Sequence, residues 1–281
     1  MKIVSNERSQ VLAAKTAAIC GLDLVPVEFK KFPDGELYLK TGKRDEKTVI
    51  IASITDSDSF IQTLLLADAC EESEITLVIP YMGYARQDKK FNDGEAVSAR
   101  AVARALSQNV SKIYTINTHE KENLSFFKVP AKDLTLAPYM CRYIETLNLK
   151  EPLIIAPDAG AAAFAKSVAA EMDFDCDHLQ KTRLSGTEVT MQPKELDVNK
   201  RSVVIVDDII STGATLANAA AMLKSQGAQE VHTACVHGVF AAGGFAKLFS
   251  AGLASLASSD TIESASSKIS ADECIKKAIL G

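Results

Sequence analysis

Two adjacent carboxylates, Asp207 and Asp208, follow the β-branched apolar run at 203–206. Such a run predicts a buried parallel strand, and we expect that strand to end at the carboxylates. The short polar loop 211–213 then opens a predicted helix, whose amino end presents backbone N–H groups to an anion such as phosphate. Because carboxylates only accept hydrogen bonds, Asp207 and Asp208 suit the hydroxyl groups of a sugar, or a metal bound to it. The stretch therefore predicts a site for a sugar phosphate.

A purely structural role is the alternative for this stretch, with the two aspartates ending the strand and Ser211 capping the helix. One carboxylate would be enough for that role, and a second one beside it adds like-charge repulsion. The ligand-binding interpretation is therefore favoured. No GxxxxGK[ST] motif occurs in the sequence, which excludes a P-loop nucleotide site.

Charge and composition exclude several classes of partner. The formal net charge of -5 provides no overall basic field for nucleic acid or for an anionic membrane surface. The sequence has no apolar run of membrane-spanning length and no secretory signal pattern at its start. Six cysteines are scattered without a CxxC pair, which is typical of reduced core residues. We expect a cytoplasmic protein.

Strand and helix patterns alternate along the chain, so the fold class is predicted to be α/β, with two parallel sheets. The length of 281 residues favours two domains, which we place at 1–148 and 149–281 as similar, duplicated folds. The predicted strands are 2–5, 24–29, 35–40, 48–54, 75–80, 112–117, 153–156, 203–206, 230–236 and 253–257. The predicted helices are 9–20, 60–70, 96–107, 138–147, 161–170, 213–226, 245–250 and 270–280.

Three further details belong to this prediction. The first helix should bury Val11, Leu12, Ala18 and Ile19. Residues 131–137 should form a connection, and 176–191 should form a hairpin. The last helix should begin with a capping box, Ser270 and Glu273.

Candidate ligand residues in the first half follow predicted strands. A Pro-Asp-Gly turn at 33–35 predicts a hairpin. The loop 81–95 combines aromatic rings with cations, which suits a purine and its phosphates, although a solvated loop is the alternative. His119 stands at the carboxyl end of a predicted strand, where a catalytic and a structural role are equally open.

Two candidates in the second half remain open at this point. Asp158 lies in a strand-to-helix turn, where it either caps the helix or neighbours a metal and a diphosphate. Lys181 and Arg183 lie at i and i+2 near a hairpin tip, so both point to one face. An ordinary exposed face is the alternative for this pair.

Six stretches, taken in chain order and covering nearly the whole chain, resemble the ribose-phosphate pyrophosphokinase family, and the short loop 181–188 resembles its archaeal members. They are Phe32-Pro33-Asp34-Gly35-Glu36, Tyr84-Ala85-Arg86-Gln87-Asp88-Lys89, Thr118-His119, Pro157-Asp158-Ala159-Gly160, Lys181-Thr182-Arg183, and Asp207-Asp208 through Thr215. The resemblance implies two phosphoribosyltransferase-like domains. Phe91 stands where many members carry a polar or charged residue.

The resemblance also implies a reaction, in which the diphosphoryl group of MgATP is transferred to the anomeric hydroxyl of ribose 5-phosphate, giving AMP and 5-phosphoribosyl 1-diphosphate. The implied catalytic residues are Lys181, Arg183 and His119, and the implied Mg²⁺ ligands are His119 and Asp158. ATP would be bound by Phe32, Asp34, Glu36, Arg86, Gln87 and Asp88. Ribose 5-phosphate would be bound by Asp207, Asp208, Ser211, Thr212, Gly213, Ala214 and Thr215, and the diphosphate by Asp158, Ala159, Gly160 and Ala161.

The family further implies a homo-oligomer, at least a dimer, in which the hairpin at 32–36 completes the active site of a neighbouring subunit. A phosphoribosyltransferase that consumes 5-phosphoribosyl 1-diphosphate is the second hypothesis, but it leaves the first half of the chain unexplained. A non-catalytic regulatory subunit is the third hypothesis. Such a subunit should lack the loop cations or the Mg²⁺ ligands, whereas Lys181, Arg183, His119 and Asp158 are present.

We predict that Lys181→Ala or Arg183→Ala lowers kcat by about a hundredfold or more and leaves KM within a few fold. The reason is that a cation on a loop that closes over the phosphates acts mainly in the transition state. Steady-state kinetics of both variants provide the measurement. A raised KM with unchanged kcat would instead indicate uniform substrate binding.

Overall fold

The computed structural model describes residues 1–183, 189–193 and 197–281, with side chains described outside 181–196. The strands are β1 Lys2–Ser5, β2 Val27–Lys31, β3 Leu37–Thr41, β4 Lys47–Ile51, β5 Glu74–Ile79, β6 Lys112–Ile116, β7 Ala131–Leu134, β8 Leu153–Ala156, β9 Cys176–Arg183, β10 Val189–Pro193, β11 Ser202–Ile210, β12 Glu230–Gly238, β13 Ser255–Ser259 and β14 Ser267–Ile269. The α-helices are α1 Gln10–Cys20, α2 Ser57–Ala69, α3 Ser98–Leu106, α4 Ala137–Thr146, α5 Ala162–Ala170, α6 Ala214–Ser225, α7 Gly244–Ser250 and α8 Asp272–Leu280.

The chain divides into two compact units. The first unit contains Met1–Thr135, Asp260–Glu263 and Ser270–Gly281, and the second contains Leu136–Ser259 and Ser264–Ile269. This division does not coincide with the boundary that we predicted between 148 and 149. Two helices account for the difference, because α4 packs against α5 in the second unit and α8 packs against α1 in the first.

The first unit is built on a parallel sheet with the strand order β1-β4-β5-β6-β7. Its central strands are buried on both faces, which explains their apolar runs. Ile50 pairs with Leu77, and Leu77 pairs with Ile113. All three side chains belong to one hydrophobic core, where each contributes about 1.5–3 kcal/mol relative to exposure. β2 and β3 form a separate antiparallel hairpin, as expected from the Pro-Asp-Gly turn.

The second unit has a sheet with the order β10-β9-β8-β11-β12-β13-β14. Its pairs are parallel except for β9 and β10, which form the antiparallel hairpin that we predicted at 176–191. Leu153, Val203 and Val231 lie side by side across the three central strands, and all are fully buried. The predicted α/β class with two parallel sheets is confirmed.

The predicted end of the strand before the two aspartates is wrong. β11 continues through both carboxylates to Ile210, with Asp207 opposite Cys235 and Ile209 opposite His237 on β12. The pairing continues because ladder hydrogen bonds use the backbone, which is the same in aspartate as in valine. The carboxylates therefore lie on a rigid strand.

Two short strands were missed. Residues 131–134, predicted as a connection, form β7, with Ile113 opposite Ala131 and Ile116 opposite Leu134. The strand predicted as the last one is followed by β14, which pairs with β13. Both are short edge strands, each paired with one neighbour. The apolar pattern of such a strand is weak.

The predicted buried face of α1 is only partly correct. Leu12 is buried, but Val11 is 53% exposed, Ala18 is exposed and Ile19 is half-buried. Ala13, Thr16 and Ala17 are buried instead. A threonine can occupy this face because its hydroxyl donates to the Leu12 carbonyl oxygen at 2.8 Å, which satisfies the buried polar group.

The predicted capping box of the last helix is wrong. α8 has Ala271 at its N-cap position and no side-chain cap. The Ser270 hydroxyl donates instead to the buried carboxylate of Asp260 at 2.9 Å, and the Ala271 N–H donates to the same group at 2.8 Å. Lys15 of α1 forms an ion pair with Asp260 at 2.8 Å. Asp260, which precedes β14, therefore satisfies the helix terminus.

None of the helices in the described part of the chain has the length and apolar character needed to cross a membrane.

Candidate active site

The carboxyl ends of β8 and β11 bring two of the predicted ligand stretches to one edge of the second sheet. Ile155 and Ile205 are paired neighbours on these parallel strands, and β8 ends at Ala156. Asp158 therefore follows β8 at the edge toward which β11 carries Asp207 and Asp208. Ligands of open α/β sheets bind at this edge.

The pKa of Asp207 is raised to about 8, mainly by burial and further by the negative charges of Asp208 and Asp158. The Asp208 N–H, which donates to Asp207 Oδ1 at 2.9 Å, opposes this shift only in part. Negative charge is thus disfavoured at this edge when no ligand is bound. A cation or a set of hydroxyl donors would relieve the repulsion.

The loop 211–213 leads into α6 with the features of an anion cradle. Gly213, at the N-cap position, has a φ of +70°, and no side chain caps the helix. A side chain at Gly213 would meet Leu248 Cγ at 3.0 Å and the Gly244 carbonyl oxygen at 3.1 Å. Thr212 and Thr215 are exposed beside the helix start. The amino end of α6 therefore faces solvent with hydroxyl groups beside it.

Asp158 organises the turn between β8 and α5. Its Oδ1 accepts hydrogen bonds from the backbone N–H groups of Gly160 at 3.0 Å and Ala161 at 3.3 Å. The N-cap position of α5 belongs to Ala161, so Asp158 caps the turn that precedes the helix. Asp158, Ala159 and Gly160 are exposed, which leaves the turn accessible to a ligand.

Lys181 and Arg183 lie on β9, opposite Met191 and Val189 of β10. β9 runs parallel to β8, with His178 opposite Ala156, so both positions lie beyond the carboxyl end of β8. The side chains of this pair, and the residues 184–188 of the predicted mobile loop, lie outside the described part. Their assigned roles stay predictions.

In the first unit, Phe32, Asp34 and Glu36 lie at the tip of the hairpin. The tip closes through two hydrogen bonds between Phe32 and the backbone of Gly35 and Glu36, at 2.9 and 2.8 Å. Gly35 has a φ of +97°, which favours glycine here. The Phe32 ring is 50% exposed and packs edge-on against Tyr38, with 6.0 Å between ring centroids.

The loop between β5 and α3 carries Arg86, Gln87 and Asp88, of which Arg86 is exposed. Near the start of this loop is Gly83, where a Cβ atom would lie 2.2 Å from the Ile54 carbonyl oxygen, so only glycine fits. The Tyr84 hydroxyl is 2.8 Å from Ser57 Oγ at the start of α2.

The hairpin is attached to the same end of α2. Lys31, the last residue of β2, forms an ion pair with Asp58 in the first turn of α2, at 2.8 Å. The amino end of this helix thus holds both of the segments to which the ATP residues were assigned.

His119 is exposed in the turn that follows β6. The turn is held by Asp133 of β7, whose Oδ1 accepts from the Thr118 N–H at 3.0 Å and from Thr115 Oγ1 at 2.6 Å. Burial raises the pKa of the Asp133 carboxyl. Sequence reasoning missed Asp133, because it read the segment as a connection.

The oxygen ligands at the edge of the second sheet fit a hard divalent cation. Asp158, Asp207 and Asp208 offer carboxylates, which Mg²⁺ prefers, and their mutual repulsion favours a cation. Within the described residues, no three His, Cys, Asp or Glu side chains form a metal-binding cluster. His119 belongs to the first unit and Asp158 to the second, so a site that uses both stays a prediction.

Two family models match the chain. Residues 1–109 match the N-terminal domain of ribose phosphate pyrophosphokinase, and residues 134–246 match the phosphoribosyl transferase domain. Ribose-phosphate pyrophosphokinase from Methanosarcina mazei is 48% identical over all of this chain and 96% of its own length. The chain belongs to the ribose-phosphate pyrophosphokinase family. It is therefore an enzyme, a ribose-phosphate diphosphokinase, and the family resemblance predicted from the sequence is confirmed.

Further comparisons agree with this membership. The Methanosarcina acetivorans protein is 49% identical, over 99% of both chains, and ribose-phosphate pyrophosphokinase 2 of Archaeoglobus fulgidus is 39% identical, over 99% of this chain and 100% of its own. These organisms are archaea, as the loop 181–188 implied. The crystal structure of phosphoribosylpyrophosphate synthetase from Mycobacterium smegmatis has the same fold, with a TM-score of 0.86, 22% identity and coverage of 99% of this chain and 97% of that one.

We predict that Asp207→Asn stabilises the ligand-free protein, and does so increasingly as the pH rises from about 4 to about 8. The unfolded-state pKa of aspartate is about 3.9. Because the folded-state pKa is raised, the stability that Asp207 contributes is complete below pH 4 and is lost as the pH approaches 8. Asparagine does not titrate, so the variant should gain at least about 2 kcal/mol in unfolding free energy between these limits.

Urea denaturation at pH 5 and pH 8, with a chelator present, measures this difference. Asp93→Asn serves as the control, since Asp93 is exposed in a loop of the other unit. Equal stabilisation at both pH values would contradict the assigned pKa shift.

Proposed function

We propose that this chain transfers the β,γ-diphosphoryl group of ATP to the anomeric hydroxyl of ribose 5-phosphate, with AMP as the leaving group. The observation that carries the proposal is the edge of the second sheet. There, two carboxylates on a rigid strand lead directly into a glycine-containing loop and an uncapped helix start. Acceptors for sugar hydroxyl groups and donors for a phosphate thus follow one another along the chain, as a sugar phosphate requires.

Ribose 5-phosphate would lie with its phosphate at the amino end of α6. Ser211, Thr212 and Thr215 supply hydroxyl donors there, and the backbone N–H groups of the first helical turn add to the positive field. Asp207 and Asp208 accept hydrogen bonds from the ribose hydroxyls. This arrangement presents the anomeric hydroxyl toward the turn of Asp158–Ala161, which we assign to the diphosphate.

ATP would be bound by residues of the first unit, with the hairpin residues 32–36 supplied by a neighbouring subunit. The exposed Phe32 ring provides a face for the adenine, and Asp34 and Glu36 accept from its amino group or from the ribose. Arg86 is exposed on the adjacent loop and suits the phosphates, because its guanidinium binds them in a bidentate manner. Gln87 and Asp88 complete the assigned set.

Mg²⁺ would be held near Asp158 and His119, and when bound it supplies neutralisation of phosphate charge. The side chains Lys181 and Arg183 supply further positive charge to the bridging oxygen of the leaving AMP. His119 is held in its turn by Asp133, which fixes the backbone from which the imidazole extends. The reaction demands positioning and charge compensation more than covalent chemistry.

The proposal includes a homo-oligomer that acts in the cytoplasm. The Phe32 ring is half exposed on a projecting hairpin, and Tyr38 beside it is also exposed. A neighbouring subunit that receives this hairpin would bury both rings and complete the ATP site. A two-fold dimer is the smallest closed assembly. All six cysteines are free thiols, which suits a reducing compartment.

We predict that AMP and 5-phosphoribosyl 1-diphosphate form in equal amounts when ATP, ribose 5-phosphate and Mg²⁺ are all present. Chromatographic separation of AMP from ADP provides the measurement. Omission of ribose 5-phosphate should abolish AMP formation, which serves as the control. ADP as the product would refute diphosphoryl transfer, and absence of any product would favour the regulatory-subunit hypothesis.

We predict that mixing Phe32→Ala chains with Lys181→Ala chains restores part of the activity that each variant lacks. If the active site is shared, a mixed oligomer contains some sites with both native residues. Activity is measured after co-refolding, and mass spectrometry verifies the mixed oligomers. Their failure to regain activity would argue against a site completed by the neighbouring hairpin.

A further inference from the structure

The carboxylate of Glu95 holds the middle of the loop between β5 and α3. Its Oε2 accepts from the backbone N–H groups of Phe91 at 2.7 Å and Asn92 at 3.0 Å, and its Oε1 accepts from Asn92 Nδ2 at 2.6 Å. Gln87 Nε2 lies 3.4 Å from the same Oε2. Both carboxylate oxygens are therefore used by donors from three residues of the loop.

The turn geometry explains why Glu95 faces these donors. Its N–H approaches the Asn92 carbonyl oxygen at 3.4 Å, which closes the chain into a turn. Gly94 has a φ of +81° within this turn, a conformation that glycine adopts at low cost. These hydrogen bonds lower the pKa of the Glu95 carboxyl, the Asn92 side chain having the largest effect, so the group is ionised at neutral pH.

Gln87 connects this turn to the rest of the unit. Its carbonyl oxygen accepts from the Ala99 N–H in α3 at 3.2 Å, and its side chain donates to the Lys89 carbonyl oxygen at 3.0 Å. Gln87 is also one of the residues that we assign to ATP. A substitution of Glu95 can therefore alter ATP binding through Gln87, although Glu95 is not among the residues assigned to ATP.

The hydrogen bonds from Phe91, Asn92 and Gln87 to the Glu95 carboxylate form a clamp. This clamp also determines how the loop presents Phe91. The Phe91 ring is 65% exposed, and Lys89 Nζ lies 5.5 Å from its centroid. An exposed ring gains little from core packing, so the backbone hydrogen bond to Glu95 is what orders this position. Residues 91–95 of the loop are thus organised by charge-assisted hydrogen bonds, whereas Met82 and Ala85 nearer β5 are buried in the hydrophobic core.

We propose that Glu95 is a positioning residue for ATP, which orders residues 87–92 before the nucleotide binds. The proposal rests on the proposed function, which places ATP at this loop. A loop that is already ordered costs less conformational entropy on binding, so the clamp should act on nucleotide affinity. It should have little effect on the chemical step or on ribose 5-phosphate, which we assign to the second unit.

Glu95→Gln tests the carboxylate with almost no change in shape. The amide replaces one acceptor oxygen by a donor NH₂ group, which then faces backbone or side-chain N–H groups. One or more of these donors loses its partner. Asp93→Asn is the matched control, because it removes the same charge from an exposed residue two positions away.

We expect Glu95→Gln to raise the KM for ATP about tenfold, with kcat within about threefold and the KM for ribose 5-phosphate within about twofold of wild type. Asp93→Asn should change all three constants by less than about twofold. Isothermal titration with ATP alone should show the same tenfold loss of affinity. Asn92→Ala combined with Glu95→Gln should cost less than the sum of the single changes, because both act through one clamp.

Hydrogen exchange without nucleotide gives a readout that is independent of activity. The Phe91 and Asn92 amides should exchange faster in Glu95→Gln and at the wild-type rate in Asp93→Asn. Unchanged amide exchange or unchanged ATP binding by Glu95→Gln would overturn the proposal. Tighter ATP binding would overturn it as well, because it would show that the carboxylate repels the phosphates. If the wild-type protein itself fails to bind ATP, the proposed function fails instead.

Discussion

The repulsion between carboxylates at the end of β11 is the constraint on which the second unit depends. Asp207 carries a pKa of about 8 because it is buried beside Asp208 and near Asp158. This arrangement costs folding stability and is retained at a ligand-binding edge, where a cation and sugar hydroxyls can compensate it. The parallel pairing with β12 makes the cost tolerable, since it continues through Asp207 to Ile210 and keeps β11 in the sheet past the two aspartates.

Carboxylates in the first unit act differently, as hydrogen-bond acceptors for a turn, a helix start and a loop. Asp133 of an edge strand fixes the turn of His119, and Asp260 satisfies the start of α8 while it pairs with Lys15. Glu95 does the equivalent within a loop. In each case a carboxylate replaces the missing backbone partners of a turn or helix end.

Whether an element could be predicted from the sequence depends on whether the interactions that form it are local or join distant segments. The strands around Ile50, Leu77 and Val203 were readable because burial on both faces demands continuous apolar runs. The hairpin at Pro33 and Gly35 was readable because φ restrictions are local. β7 and β14 were not, since edge strands depend on a neighbour that the local pattern does not reveal. The Ser270–Glu273 capping box was predicted wrongly for the same reason, because Asp260 competes for the serine.

The sequence by itself determined the class of fold, the family, and the residues with ligand chemistry, because these depend on residue types and on short spacings. Tertiary structure alone decided that β11 continues through Asp207, that α8 belongs with the first unit, and that Asp133 and Glu95 hold the turn after β6 and the loop before α3. Those outcomes depend on hydrogen bonds and packing between segments, and on a burial that shifts a pKa. The free energies of such contacts are set by distances in space, which the order of residues does not specify.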